Sequence, residues 1–313
     1  MGVLALKRVI RTGMRNDSRK AQSAMEYLTT YGWAIIVIVV VLAVMYSLGL
    51  FNSSTYAARA APGSCQVVRP EGPGSVDFMS ITGTCNNELP EYAAAFNGAS
   101  YVSTNAVIDA PSFTITAWAN KKSNSLNNGR NGIAGEGWNY GDRYLGVPND
   151  ANWGGWCYNT STHTGWTAYG NAVVPGIWTF VALSYNMSNH TLDFWEGNSS
   201  NLLIRSQLTG VYCTPDNPST DNIPFYIGTT NGGEYWNGYI SNVQAYNKSL
   251  SAADLYTLYH EGIGGKPVNL VNLTAWWPLD DNAHDYSGDN LNGTAVGVSY
   301  TSAWDRGYIP PVS

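Results

Sequence analysis

The chain has 313 residues, of which only 12% are charged, with 33 Gly, 21 Tyr and 12 Trp and a formal net charge of −6. That balance excludes a long soluble coiled coil, an intrinsically disordered chain and a nucleic-acid binder. The charge is unevenly placed. Lys7, Arg8, Arg11, Arg15, Arg19 and Lys20 crowd the first 21 residues beside a single acid, Asp17, and the remainder of the chain is strongly acidic.

No charged side chain lies between Glu26 and Arg59, and Trp33 to Tyr46 is apolar throughout. As a helix, Tyr27–Phe51 would run roughly 37 Å, longer than a typical hydrocarbon core. Apolar on every side, it predicts a single transmembrane α-helix rather than a soluble amphipathic one. Basic residues before it and acidic residues after it predict a single-pass cell-membrane protein, its N-terminus cytoplasmic and residues 60–313 outside.

The segment entering the span reads Lys20-Ala-Gln-Ser-Ala-Met-Glu-Tyr-Leu28. It resembles the class III signal peptide of archaeal type IV pilin-like proteins. The resemblance implies a basic leader, 1–21, removed by a prepilin-type peptidase between Ala21 and Gln22, and a pilin-like helix over 22–51. Ala21 departs from the Gly common before the cut. Glu26 would be the fifth mature residue. A carboxylate at the edge of hydrocarbon is costly without a partner. The new amino group of a neighbouring Gln22 would supply one and set the register of a homopolymer or surface filament. Ser23-Ala-Met-Glu26 also matches a capping box, which would use Glu26 within its own helix.

Residues 52–89 read as a spacer followed by a short hairpin bracketed by Cys65 and Cys85. With Cys157 and Cys213 there are four cysteines, enough outside the cell for two disulfides in any of three connectivities. Sequential pairing would join Cys65 to Cys85 and leave Cys157 with Cys213. Beyond residue 90, short β runs alternate with turn residues. Phe113, Ile115 and Ala117 share one face, and Ile177–Tyr185 is apolar on both faces, as in a central strand. Thr191–Trp195 is expected to end at a Glu196-Gly197 turn. One further helix is expected, with Ser251 as N-cap, Asp254 three residues on, Leu255, Leu258 and Tyr259 on one face, and Gly262 as its stop.

Several runs in order, Phe96-Asn-Gly98, Ser112-Phe-Thr-Ile-Thr-Ala-Trp118, Gly176–Tyr185, Phe225-Tyr-Ile-Gly228, Trp236–Asn247 and Leu250–Tyr259, are similar to the laminin-G-like domain of the concanavalin A-like lectin/glucanase superfamily. The resemblance covers about residues 90–300 and implies an all-β jelly-roll sandwich of two antiparallel sheets. The segment Leu273-Thr-Ala-Trp-Trp-Pro-Leu-Asp-Asp281 resembles the start of such a domain but comes last. It reads as a permuted strand segment, 273–300, completing the sandwich before a tail, 301–313.

Enzymes on this fold display alternating acids along one strand, and no Glu-x-Asp-x-Glu-like pattern occurs. Asp193 and Glu196 face opposite sides of a strand and Glu136 is isolated, so a non-enzymatic protein is expected, with a glycoside hydrolase the weaker reading. Trp138, Tyr140, Trp153, Trp156, Tyr158 and Trp166 lie in Gly- and Asn-rich sequence, where rings stack on sugars or, alternatively, pack as satellite cores. Asp280, Asp281, Asp285 and Asp289 could hold Ca2+ or serve as turn formers. Sequons at Asn52, Asn159, Asn186, Asn189, Asn198, Asn247, Asn272 and Asn292 make a glycosylated surface the expectation. The function expected is adhesion at the archaeal cell surface through glycans or surface proteins, the alternative being a structural filament or envelope subunit with no ligand.

Overall fold

The computed structural model describes residues 31, 33–44, 66–68, 80–82, 92–108, 110–122, 130–137, 143–149, 151–159, 161–214, 224–230, 233–303 and 306–311. The chain divides into two units, residues 1–58 and 59–313. In the first, residues 33–44 are helical (α1). Among the described residues no helix is long and apolar enough to cross a membrane. Most of the predicted span, 22–51, lies outside the described residues, as do Ala21, Gln22 and Glu26.

In the second unit, β1 (Gln66–Val68) and β2 (Ser80–Thr82) pair antiparallel, with Gln66 opposite Thr82. Cys65 and Cys85, just beyond these strands, lie outside the described residues. The sandwich follows with β3 (Tyr92–Asn97), β4 (Tyr101–Ser103), β5 (Phe113–Lys121), β6 (Asn131–Glu136), β7 (Arg143–Val147), β8 (Asn152–Asn159) and β9 (Thr164–Ala172). Then come β10 (Thr179–Asn186), β11 (Thr191–Asn198), β12 (Ile204–Thr209), β13 (Phe225–Ile227) and β14 (Asn237–Tyr246). The helix α2 (Ala252–Glu261) precedes β15 (Leu273–Trp277), β16 (Thr294–Val296) and β17 (Ser299–Ser302).

Two antiparallel sheets result. The first runs β12-β11-β10-β5-β14-β3-β17, with β15 also paired to β14; the second runs β16-β4-β13-β6-β7-β8-β9. Strand alternation builds the core between them: Phe113, Ile115 and Ala117 of β5 and Val181, Leu183 and Tyr185 of β10 point inward. The other faces of the same strands, Trp118, Phe180 and Ala182, pack under Leu255, Leu258 and Tyr259 of α2 and under Tyr308. That second layer explains why β10 is apolar on both faces. Ser251 caps α2 in a capping box with Asp254, and Gly262 ends the helix.

Three details of the sandwich go beyond or against the sequence expectation. First, β11 continues through Glu196 and Gly197 to Asn198, and the chain reverses after it. Gly197 is there for space rather than for a turn: a Cβ would sit 2.8 Å from Tyr259 Cε2 and 3.0 Å from Leu203 Cα. Second, β14 changes partners along one edge. Asn237–Ile240 pair with β3 and Val243–Tyr246 with β15. At the switch Asn242 adopts φ 50°, a left-handed conformation Asn tolerates. Its side chain donates to Gly265 O and accepts from Trp276 Nε1. Third, residues beyond 300 belong to the sandwich: β17 pairs with β3, and Tyr308 is 3% exposed with its hydroxyl accepting from Ile263 N.

Candidate functional site

The first sheet is covered on both faces, so the outer face of the second is where a surface site finds its floor. Its register aligns Ser103, Tyr226, Gly135, Tyr144, Trp156 and Thr167 across successive strands, all on that face. Trp156 and Tyr158, two apart on β8, are half-buried, and their rings lie 6.4 Å apart at an interplanar angle of 14°. The two near-parallel rings, neighbours along β8, make an aromatic plate on the sheet. The Trp156 ring lies over Gly165 on β9, where a Cβ would come within 2.1 Å of it. Only a glycine lets that ring lie flat.

Polar groups stand against the plate, one of them over a ring face. The Arg130 guanidinium carbon is 5.8 Å from the Trp156 centroid, within cation–π range. Its Nη1 lies 3.8 Å from Glu234 Oε1, and Glu234 also accepts from Thr230 Oγ1. Tyr158 Oη is 3.3 Å from His163 Nδ1. Three strands away, roughly 14 Å at the usual spacing, Tyr226 meets Tyr101 edge-on with centroids 6.0 Å apart, and Tyr235 lies 6.2 Å from Tyr101. These three half-buried tyrosines form a second aromatic cluster on the same sheet.

Of the six aromatic residues singled out from the sequence, the structure therefore brings Trp156 and Tyr158 together. Trp153 turns inward, 3% exposed and stacked on Trp236 at 6.0 Å. Trp166 packs against the main core. Both correct the expectation of loop-borne binding residues, because they occupy inward positions of β8 and β9. Trp138 and Tyr140 lie outside the described residues. Sequence reasoning missed Arg130, Tyr101, Tyr226 and Tyr235. The alternation Tyr101-Val102-Ser103 and Phe225-Tyr226-Ile227 held the signal for two of them, since each places Tyr opposite an apolar inward residue.

The other predicted sites resolve as follows. Cys157 and Cys213 are joined, with Cα atoms 5.7 Å apart, tying β8 of the second sheet to the chain leaving β12 of the first. Asn159 is 8% exposed and its Nδ2 donates to Tyr212 O while Oδ1 accepts from Ser161 N and Thr162 N, so that sequon is folded into a turn rather than presented. Asn189, Asn247 and Asn292 are exposed, whereas Asn186, Asn198 and Asn272 are half-buried; Asn52 is outside the described residues.

The acidic set is dispersed. Asp285 accepts from Trp276 N, Ser287 N, Ser287 Oγ and Leu291 N, which occupies both carboxylate oxygens within its own turn. Asp280 accepts from Tyr92 N, and Asp281 takes φ 61°. Neither a bond nor a shared ligand geometry links Asp289 to them; among the described residues no three His, Cys, Asp or Glu side chains come together to hold a metal. Glu136 is 1% exposed and accepts from Ile108 N; Arg143, opposite it on β7, donates to Ile108 O and Ala110 O. This polar pair pins a loop to the sheet.

The architecture is similar to a candidate carbohydrate-binding protein of Bacteroides ovatus, at 16% identity and a TM-score of 0.50, covering 68% of this chain and 60% of that one. A heptameric pentraxin from Limulus polyphemus gives 12% identity and a TM-score of 0.45, covering 67% of this chain and 94% of that one. A domain of an extracellular arabinanase from Geobacillus stearothermophilus, solved with arabinotriose, gives 16% identity and 0.39, covering 63% and 87%. The chain thus spans about three fifths of the length of the Bacteroides protein it matches. No curated protein sequence matches it. A family model covering residues 96–255, just over half of the chain, places it by sequence, and with two antiparallel sheets around one core the protein belongs to the concanavalin A-like lectin/glucanases superfamily.

Proposed function

We propose that this protein is a surface adhesin whose sandwich binds an extended carbohydrate on the outer face of its second sheet, held at the cell membrane by the pilin-like N-terminal segment. The observation that carries the binding half is the plate of near-parallel Trp156 and Tyr158 rings, half-open to solvent, with Arg130 over the Trp156 ring. A sugar ring presents an apolar face to such a plate, and hydroxyls at its rim reach donors beside it. The tyrosine cluster around Tyr226, on the same face, offers a second contact for a longer chain. The Bacteroides ovatus neighbour shares the fold and is itself a candidate carbohydrate binder, which accords with this reading.

A glycan array probed with the full chain in detergent micelles tests it. Binding to a subset of oligosaccharides is expected, falling at least tenfold in Trp156→Ala with the fold intact by circular dichroism. An array with no signal above background leaves the structural filament or envelope subunit as the function. The anchoring half rests on the apolar run and the leader resemblance; mass spectrometry of the native protein should find Gln22 as the first residue, and a chain starting at Met1 would refute processing.

A further inference from the structure

The connection from β9 to β10 and the turn from β11 to β12 border a cleft of about 480 Å³. That is within the range of small-ligand sites. Its floor is Glu196, an inward residue of β11 that is 5% exposed. Glu196 Oε1 accepts from Asn171 N at 2.7 Å; among the described residues nothing donates to Oε2. Burial pushes this carboxyl above its usual range, with the Asn171 N–H opposing. No Lys, Arg or His is among the residues lining the cleft. Its walls combine the solvent-exposed aliphatic side chains of Val174, Ile177, Leu202 and Ile204, with Leu202 70% exposed, and the polar Asn171, Thr179, Asn198, Ser200 and Asn201.

A buried carboxylate with one hydrogen bond is incompletely compensated. An anionic ligand would be repelled by it. A purely apolar ligand would leave it dry and uncompensated. A neutral sugar would lack a plate, since Trp153, the aromatic residue of the cleft, is 3% exposed. A cation on an aliphatic stem satisfies both the floor and the walls. From this arrangement we infer that the cleft is a second binding site, distinct from the sugar plate, for a primary ammonium group carried on an aliphatic stem. A lysine side chain and a free alkylamine share that chemistry.

The test is titration calorimetry of the full chain in micelles with n-butylammonium, with Nα-acetyl-lysine methylamide, and with n-butanol as the uncharged control. Both amines should bind saturably and butanol at least tenfold more weakly. Glu196→Gln should weaken the amines at least tenfold, and Leu202→Ala, at an exposed wall position, about threefold. Tighter binding of the lysine derivative assigns the natural ligand to a protein side chain; equal binding assigns it to a free amine. Butanol binding as well as butylammonium, or unchanged amine binding in Glu196→Gln, overturns the inference. If Glu196→Gln fails to fold, the butanol comparison and Leu202→Ala decide it. Amine binding should survive Trp156→Ala, so failure of the carbohydrate reading and failure of this one are told apart.

Discussion

Gly165→Ala probes the aromatic plate without removing either ring. A Cβ at residue 165 would lie 2.1 Å from Cζ2 and 2.2 Å from Cη2 of Trp156. Ordinary carbon contacts begin near 3.4 Å, so the indole must shift by about 1.3 Å. Trp156 is half-buried, with solvent and the Arg130 side chain beyond its ring, so the ring swings outward instead of forcing the backbone apart. The cost to folding is that of an off-rotamer side chain, about 0.5–1.5 kcal/mol, or roughly 1–6 °C in melting temperature for a domain of this size. The cost to the plate is larger in kind, because tilting one ring ends its near-parallel alignment with Tyr158. Carbohydrate affinity, read by titration of the best array hit, should fall about tenfold, and the melting curve should barely move. Unchanged affinity would refute the plate as the contact surface. A loss of more than about 10 °C in melting temperature would instead show Trp156 to be structural packing, and the reasoning would fail on that side.

Replacing Cys157 and Cys213 together by Ala opens a loop of 56 residues, which the chain-entropy model values at ~4 kcal/mol; calorimetry should show a melting temperature lower by roughly 8–16 °C, and a drop under 3 °C would contradict that account. Burial pushes the Glu261 carboxyl from 4.5 up to about 7, with a backbone hydrogen bond and the charge of Lys266 opposing. The folded state therefore holds this proton more tightly than the unfolded chain. Its contribution is complete below about pH 4.5 and is lost as pH rises through about 7, a change that solvent screening of this partly exposed group holds to about 1–2 kcal/mol. Denaturant midpoints measured across that window should fall with pH in the native protein and flatten in Glu261→Gln; parallel profiles would refute the assignment.

Much of the sandwich was legible because its signals are local. The alternation of Phe113, Ile115 and Ala117 set the inward face of β5, and Ser251 with Asp254 marked the start of α2. What misled was residue type read without its neighbours. Glu196-Gly197 has the composition of a turn, yet Gly197 is required by Tyr259, which lies 62 residues further along the chain, and no window of sequence contains both. Trp153 and Trp156 look equivalent in the run Asn-Trp-Gly-Gly-Trp, but three residues apart on one strand they point to opposite faces, one ring into the core and the other to the surface. The site suffered most from this. Trp156 and Tyr158 were within reach because they are neighbours on one strand. Arg130, Tyr226 and Tyr235 join the same face only through sheet order, which pairs β6 with both β7 and β13.

The strand order has a bearing on how the molecule comes into being. β3, the first strand of the sandwich proper, is zipped to β14 on one side and to β17 on the other, while β4 waits for β16. A chain emerging N-terminus first therefore holds β3 and β4 without these partners until residues 294–302 have been delivered. A product stopped short at residue 290 would present β3 and β4, in place of the short β17 and β16, as sheet margins able to recruit strands from other chains.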